Sequence, residues 1–121
     1  MIHTSLKVVL PANRRDEAAR LIRSLVGPTS AEPGCLHCGS YTDAQNEDIL
    51  CYVEDWQTED DLQRHIRSTD YRKFLALMDL SSEPPDLKFH RVSETFGIEY
   101  VSRVRLASEG ESSGDPLVAG N

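Results

Sequence analysis

No stretch of this sequence approaches the ~20 apolar residues that a bilayer-spanning helix needs, and no basic segment followed by a long apolar one opens it. A cytoplasmic protein with no membrane partner is the expectation. The chain also lacks a stripe of positive charge: 13 basic residues face 20 acidic ones, for a formal charge of −7. Phosphate backbones need clustered Lys and Arg, so nucleic acid is excluded as an expected partner. There is no glycine-rich phosphate loop, no nucleophile elbow and no paired metal-ligand motif, so neither a cofactor nor a metal is expected. Cysteine is scarce and odd in number, with Cys35, Cys38 and Cys51 alone, which excludes a disulfide-stapled scaffold. A single tryptophan, Trp56, is present.

What is present suffices for one core: 121 residues form one globular domain rather than two. Residues Ile2, Thr4, Leu6, Val8 and Leu10 alternate with more polar neighbours until Pro11, the period-two pattern of a strand. From Arg14 the apolar residues Ala18, Ile22, Leu25 and Val26 recur at helical spacing. With Asn13 as N-cap and Gly27-Pro28 past the end, this predicts a helix over 14–26. Two strand-like runs, Cys35–Thr42 and Ile49–Trp56, flank the polar turn at 43–48 and predict a hairpin. Thr58 followed by Glu59, Asp60 and Asp61 marks a second helix start. Ser68-Thr69-Asp70 offers another cap, so that helix is expected to break near Ser68 before a stripe of Phe74, Leu75, Leu77 and Met78. Beyond Pro84-Pro85, the alternation around Leu87 and Phe89 predicts a fourth strand reaching toward Phe96, with Ile98–Val104 extending the sheet past a bend at Gly97. The Ser-, Gly- and Glu-rich end is expected to be loose, giving a domain over 1–104 and a flexible tail over 105–121.

The order β-α-β-β-α-β is that of a ferredoxin-like α+β fold, two helices covering one face of an antiparallel sheet. The other face has apolar residues from the first and third strands and needs cover, which a homodimer would supply.

Cys35 and Cys38 have the two-residue gap of a redox or zinc motif. Regular strand alternation puts residues three apart on opposite faces, so they are not expected to converge on one metal. His3, His37 and His90 lie on separate elements with no ligand spacing.

The motifs Glu32-Pro33-Gly34-Cys35 and Tyr52-Val53-Glu54-Asp55-Trp56, then Leu62, His65 and the segment from Ser68 to Phe74, follow in order on this frame. Over roughly Ile2 to Phe96 the chain resembles the antibiotic biosynthesis monooxygenase family. The resemblance implies a dimeric α/β barrel, two sheets packed face to face, with a pocket in each subunit between sheet and helices. It does not imply one chemistry. Members oxidise polycyclic phenols or quinols without metal or flavin, degrade haem, or isomerise a signalling sugar phosphate. The chain departs from the family where many members carry a second histidine: here Asp70 stands instead. Strand one has no Asn, and Leu75 stands about where haem-degrading members place a histidine, which argues against haem.

Within this frame His65 and Trp56 are the candidate catalytic residues. An unperturbed imidazole titrates near ~6.5 and can move a phenolic proton at neutral pH. The Trp56 ring could stack on a flat substrate while its N–H offers a directed donor. Tyr71 and Phe74, one helical turn apart, and Tyr52 and Glu54, on the strand face of Trp56, are candidate substrate-binding residues, although packing explains Tyr71 and Phe74 equally well. A buried Glu54 would need a partner, which an Arg or His across the sheet could supply; Arg91 is a candidate, and the pair is expected to be structural. The reading is a cofactor-independent monooxygenase acting with O₂ on an aromatic, phenolic or quinol-type molecule. The alternatives are a non-catalytic dimeric module that binds a small ligand or a partner protein, and an isomerase of a small sugar phosphate.

Overall fold

A computed structural model describes residues 1–113. The elements are β1 (Ile2–Val9), a 3-10 turn (Ala12–Arg14), α1 (Arg15–Ser30), β2 (Cys35–Thr42), β3 (Ile49–Trp56), α2 (Glu59–Arg67), α3 (Tyr71–Asp79), β4 (Asp86–Arg91) and α4 (Glu99–Ser113). The four strands form one antiparallel sheet in the order β2-β3-β1-β4. This is the ferredoxin-like α+β arrangement, and within one chain the sheet does not close into a barrel.

The alternation in β1 does what its period demands. Ile2, Thr4, Leu6 and Val8 are buried beneath the helices, while His3, Ser5 and Lys7 face the other side, beside Asp55, Val53 and Cys51 of β3 and His90, Lys88 and Asp86 of β4. One core cluster gathers Leu6, Val8, Leu10, Ala18, Leu25, Tyr52, Tyr71, Phe74 and Leu77. A second, smaller one joins Ile2, Trp56 and Leu62 at the opposite end of the sheet.

Three local expectations need correction. Gly27-Pro28 does not end α1, which runs on to Ser30. Proline removes one donor and crowds one carbonyl, a cost confined here to the last turn. There Ala31 N–H closes the helix on Gly27 and Pro28 carbonyls and Thr29 is buried, one turn on from Leu25. Asn13 is not the N-cap: it lies inside the 3-10 turn, and Arg14 takes the cap position without a side-chain bond. Nor does the sheet continue after Gly97. β4 ends at Arg91 because its partner β1 ends at Ile2, and the last ladder bond runs from Val92 N–H to Met1 O. Ile98, Val101 and Val104 are three apart, a helical spacing, and Glu99 accepts from Gly97 N–H at 2.9 Å at the start of α4. This helix passes through the region expected to be a loose tail; residues 114–121 of that tail lie outside the described residues.

The second helix starts and breaks as its sequence indicates. Thr58 Oγ1 accepts from Asp61 N–H at 3.1 Å, a side-chain cap. At Ser68 the backbone turns extended, and Ser68 Oγ donates to His65 O at 2.7 Å. The break lets α2 lie near Trp56 and α3 lie against α1, so both flank β3 from one side.

Candidate active site

Tyr52, Glu54 and Trp56 occupy alternate positions on β3 and so share its helix-facing side. Their exposures are 0, 1 and 0%. An ionised carboxylate in such a place needs compensating hydrogen bonds, and Glu54 has them on both oxygens. Its Oε1 accepts from Trp56 Nε1–H at 2.9 Å. Its Oε2 accepts from the Tyr52 hydroxyl at 2.7 Å and from His65 Nε2 at 3.1 Å. Arg91, one candidate partner of Glu54, instead reaches out to Glu59 at 3.0 Å, and a histidine, His65, takes that place from the helix side. Arg91 sits beside Ile2 at the far end of β1, two strands away from Glu54.

His65 comes from α2, where the spacing from Leu62 turns both inward. Its ring is fully buried. Nδ1 lies 2.9 Å from Glu32 Oε2 and Nε2 lies 3.1 Å from Glu54 Oε2. Carboxylates accept and do not donate, so making both bonds requires a hydrogen on each ring nitrogen. The residue is therefore an imidazolium between two carboxylates. Burial pushes its pKa down, but the hydrogen bond and charge of Glu54, and then those of Glu32, leave it raised overall. Burial alone would raise Glu54; the bonds from His65, Trp56 and Tyr52 and the imidazolium charge hold it below the usual carboxylate range. The triad thus carries a net charge of minus one.

Aromatic rings close around it. The Trp56 and His65 ring centroids are 4.7 Å apart. Tyr71 meets His65 edge-on at 5.3 Å and stacks on Phe74 at 4.9 Å. Phe74 in turn tilts against Tyr52 at 5.4 Å. Burial, then the charge of Glu54, pushes the Tyr71 hydroxyl up to about 12, so it stays a neutral phenol at ordinary pH. All six residues singled out from sequence therefore belong to one contiguous network.

Two further members were not among them. Glu32 precedes the turn into β2; its signal was the Glu-Pro-Gly motif itself. Cys38 Sγ lies 3.1 Å from the Tyr52 hydroxyl, and since that hydroxyl gives its hydrogen to Glu54, the thiol is the donor. Cys38 reaches this side because the register shifts between Cys35 and His37, so that Leu36 is bulged out. Cys35 then lies opposite Trp56 and Cys38 opposite Glu54. The two thiols share one face, contrary to regular alternation. Burial pushes Cys38 up to about 11 and also raises Cys35, so both are protonated thiols rather than nucleophiles. Among the described residues, no three or more His, Cys, Asp or Glu side chains are arranged to hold a metal ion, and no helix is long and apolar enough to cross a membrane.

Tyr52, Glu54, Trp56 and His65 are sealed from solvent. A cavity of about 380 Å³ opens beside it, lined by Ile2, Glu59, Leu62, Gln63, Ile66, Phe89 and Arg91. Ile2 and Leu62, which pack against Trp56, form the wall between cavity and network. A second cavity of about 370 Å³ lies between α1 and the hairpin, near Leu10, Ile22 and Leu50, at the other end of the sheet.

Residues 1–77 match the antibiotic biosynthesis monooxygenase family. The chain belongs to that family. Among solved structures it is similar to a conserved protein of Methanosarcina mazei, with 28% identity and a TM-score of 0.70 over 74% of this chain and 90% of that one. It is also similar to Rv0793 of Mycobacterium tuberculosis, with 18% identity and a TM-score of 0.71 over 79% and 98% of the two chains, a likeness of fold. A relative from Synechocystis, itself uncharacterised, is 24% identical over 84 residues, which is 69% of this chain; the chain spans 57% of that relative's length. Family membership accounts for the frame over residues 1–77. The substrate has to be argued from the site.

Proposed function

We propose that the protein is a cofactor-independent monooxygenase acting on an electron-rich phenol or quinol. The observation carrying this reading is the fully buried histidine held between two carboxyl groups beside the one tryptophan. Well-packed apolar residues generally hold a core together at least as well as a buried ion pair does, and strongly perturbed titrating groups cluster at functional sites. The cavity of about 380 Å³ falls in the size range of small-molecule sites. Its floor of Ile2, Leu62, Ile66 and Phe89 suits a flat aromatic body.

In this reading the substrate lies against the Ile2 and Leu62 wall. When the Leu62 side chain rotates aside, a substrate hydroxyl reaches Glu54, whose carboxylate takes the proton while the adjacent His65 imidazolium offsets the charge of the anion formed. Ile2, Leu62, Ile66 and Phe89 hold the ring, Trp56 backs that wall, Tyr71 and Phe74 brace the His65 ring from behind, and Tyr52 and Glu54 fix the imidazolium. The anion left behind adds O₂ at a ring carbon to give a hydroperoxide, which loses water and leaves a quinone. One oxygen atom enters the product and one leaves as water; the substrate supplies all the electrons, so no other reductant enters. A second copy covering the open sheet face, and a cytoplasmic setting, belong to the same proposal.

A second reading, a dimeric module that binds a small ligand without turnover, is favoured by the closure of the network: His65 lines neither cavity. An isomerase of sugar phosphates is less favoured, since Arg91, the one cation lining the cavity beside the network, is held by Glu59 through two bonds. Oxygen uptake across a panel of quinols and polycyclic phenols separates the readings. The monooxygenase consumes one O₂ per quinone formed, faster than autoxidation, and loses that rate in His65→Gln. Saturable binding of the same compounds without uptake would move the assignment to the binding module.

A further inference from the structure

Glu32 is the one member of the triad that meets water. Its side chain is 22% exposed, against 0% for His65 and 1% for Glu54. Its position is fixed from all sides. Glu32 N–H donates to Thr29 O at 3.1 Å and Cys35 N–H donates to Glu32 O at 3.1 Å, so both backbone groups are engaged. Gly34 adopts φ 84°, and a Cβ there would collide with the Asp61 carboxyl; only glycine lets the chain turn so close to α2. Gln57 N–H donates to Gly34 O at 2.8 Å and Arg64 donates to Pro33 O at 3.0 Å. These bonds tie the turn to the end of β3 and to α2, the two elements that carry Trp56 and His65.

We propose that Glu32 is the solvent port of the buried site: a positioning residue that fixes the His65 imidazolium and passes its Nδ1 proton to and from water. The proposal deepens the monooxygenase reading and rests on it for its catalytic meaning, though not for its test. The bonds run without interruption from Cys38 through Tyr52, Glu54 and His65 to Glu32. The Nδ1 proton passes to the Glu32 carboxylate and on to bulk water, leaving a neutral ring with its hydrogen on Nε2, and a proton from water returning by the same two steps regenerates the imidazolium. The other titratable groups around the ring cannot do this. Tyr52 and Tyr71 hold their protons well above neutral pH, as does Cys38. Cys35 is raised likewise, Glu54 is sealed, and Asp61 and Arg64 on α2 are occupied with each other at 2.6 Å.

The test is an NMR titration of the His65 ring in the full chain, wild type against Glu32→Gln and Glu32→Asp, with exchange of the Nδ1 hydrogen with water measured alongside. Glutamine keeps the acceptor and loses the charge. The His65 pKa should fall by about one unit or more in Glu32→Gln, the usual effect of losing an adjacent opposite charge, and Nδ1–H exchange should slow. Glu32→Asp should recover part of both. A His65 pKa and exchange rate unmoved in Glu32→Gln would overturn the proposal, and so would movement in both variants alike, which would mean a disturbed turn rather than a lost charge. Oxygen uptake measured on the same samples keeps the two failures apart. A moved pKa with no uptake on any quinol leaves the port standing and removes the monooxygenase; uptake with an unmoved pKa does the reverse.

Discussion

Strand β3 carries two adjacent carboxylates, Glu54 and Asp55, and each holds a histidine, but on opposite faces of the sheet. Glu54 meets His65 under the helices, with exposures of 1% and 0%. Asp55 meets His3 on the open face at 2.5 Å, with exposures of 20% and 34%. The residue types are the same and the bond on the open face is the shorter of the two, yet only the buried pair is committed. In the single chain water can replace either partner on the open face, where screening keeps the exchange cheap. Beneath the helices nothing can replace them, so removing one partner strands the other in a dry, apolar surround.

The largest effect that comparison predicts is for Glu54→Ala. It leaves the Tyr52 hydroxyl and the Trp56 N–H without acceptors and the imidazolium with Glu32 alone. Loss of one partner of a buried pair typically costs about 3–5 kcal/mol, which urea denaturation will read directly; a loss under about 1 kcal/mol would place the pair with the surface class. Tyr52→Phe should cost less, about 1.5–3 kcal/mol, the range for one hydrogen bond to a charged group, in the same assay.

The pH dependence has two limbs with definite signs. The raised pKa of His65 means that its contribution is complete below the ordinary imidazole value of ~6.5 and is lost as pH rises through the folded value. The lowered pKa of Glu54 means that its contribution is present above the ordinary carboxylate value and is lost as pH falls through the folded one. Stability measured from acid to alkaline pH should therefore peak between the two, and the alkaline limb should flatten in His65→Gln. The smallest effect is expected for His3→Ala in the single chain, about 0–1 kcal/mol and diminishing with added salt; a larger loss that persists in salt and grows with protein concentration would mean that a second copy buries this face too.

Much of the frame was legible in the chain. The hairpin boundaries, the Thr58 cap and the break at Ser68 follow from local rules acting over a few residues, and local rules are what a sequence displays. The inward set of Tyr52, Glu54, Trp56 and His65 was legible for the same reason, since strand and helix periods dictate which side chains share a face. Its partners were not. Arg91 is the natural counter-ion by residue type, but the strand order β2-β3-β1-β4 sets it one strand beyond β1 and turns it toward Glu59. Glu32, 33 positions before His65, gives no periodic signal. The bulge at Leu36 places both thiols of Cys35 and Cys38 on the site's side against the simple alternation of the strand. The segment from Ile98 to Val104 has a pattern that fits strand or helix, and it was decided by the absence of any strand left to pair with after Ile2.

The sequence by itself determined the order of elements from β1 to β4, the ferredoxin-like topology and the identity of the inward-facing polar residues, because hydrophobic period and capping chemistry act between near neighbours. The tertiary structure alone decided which charges meet. Burial removes the water that would otherwise serve each group equally, and once it is gone, only the carboxylates that the fold carries to His65 can satisfy it.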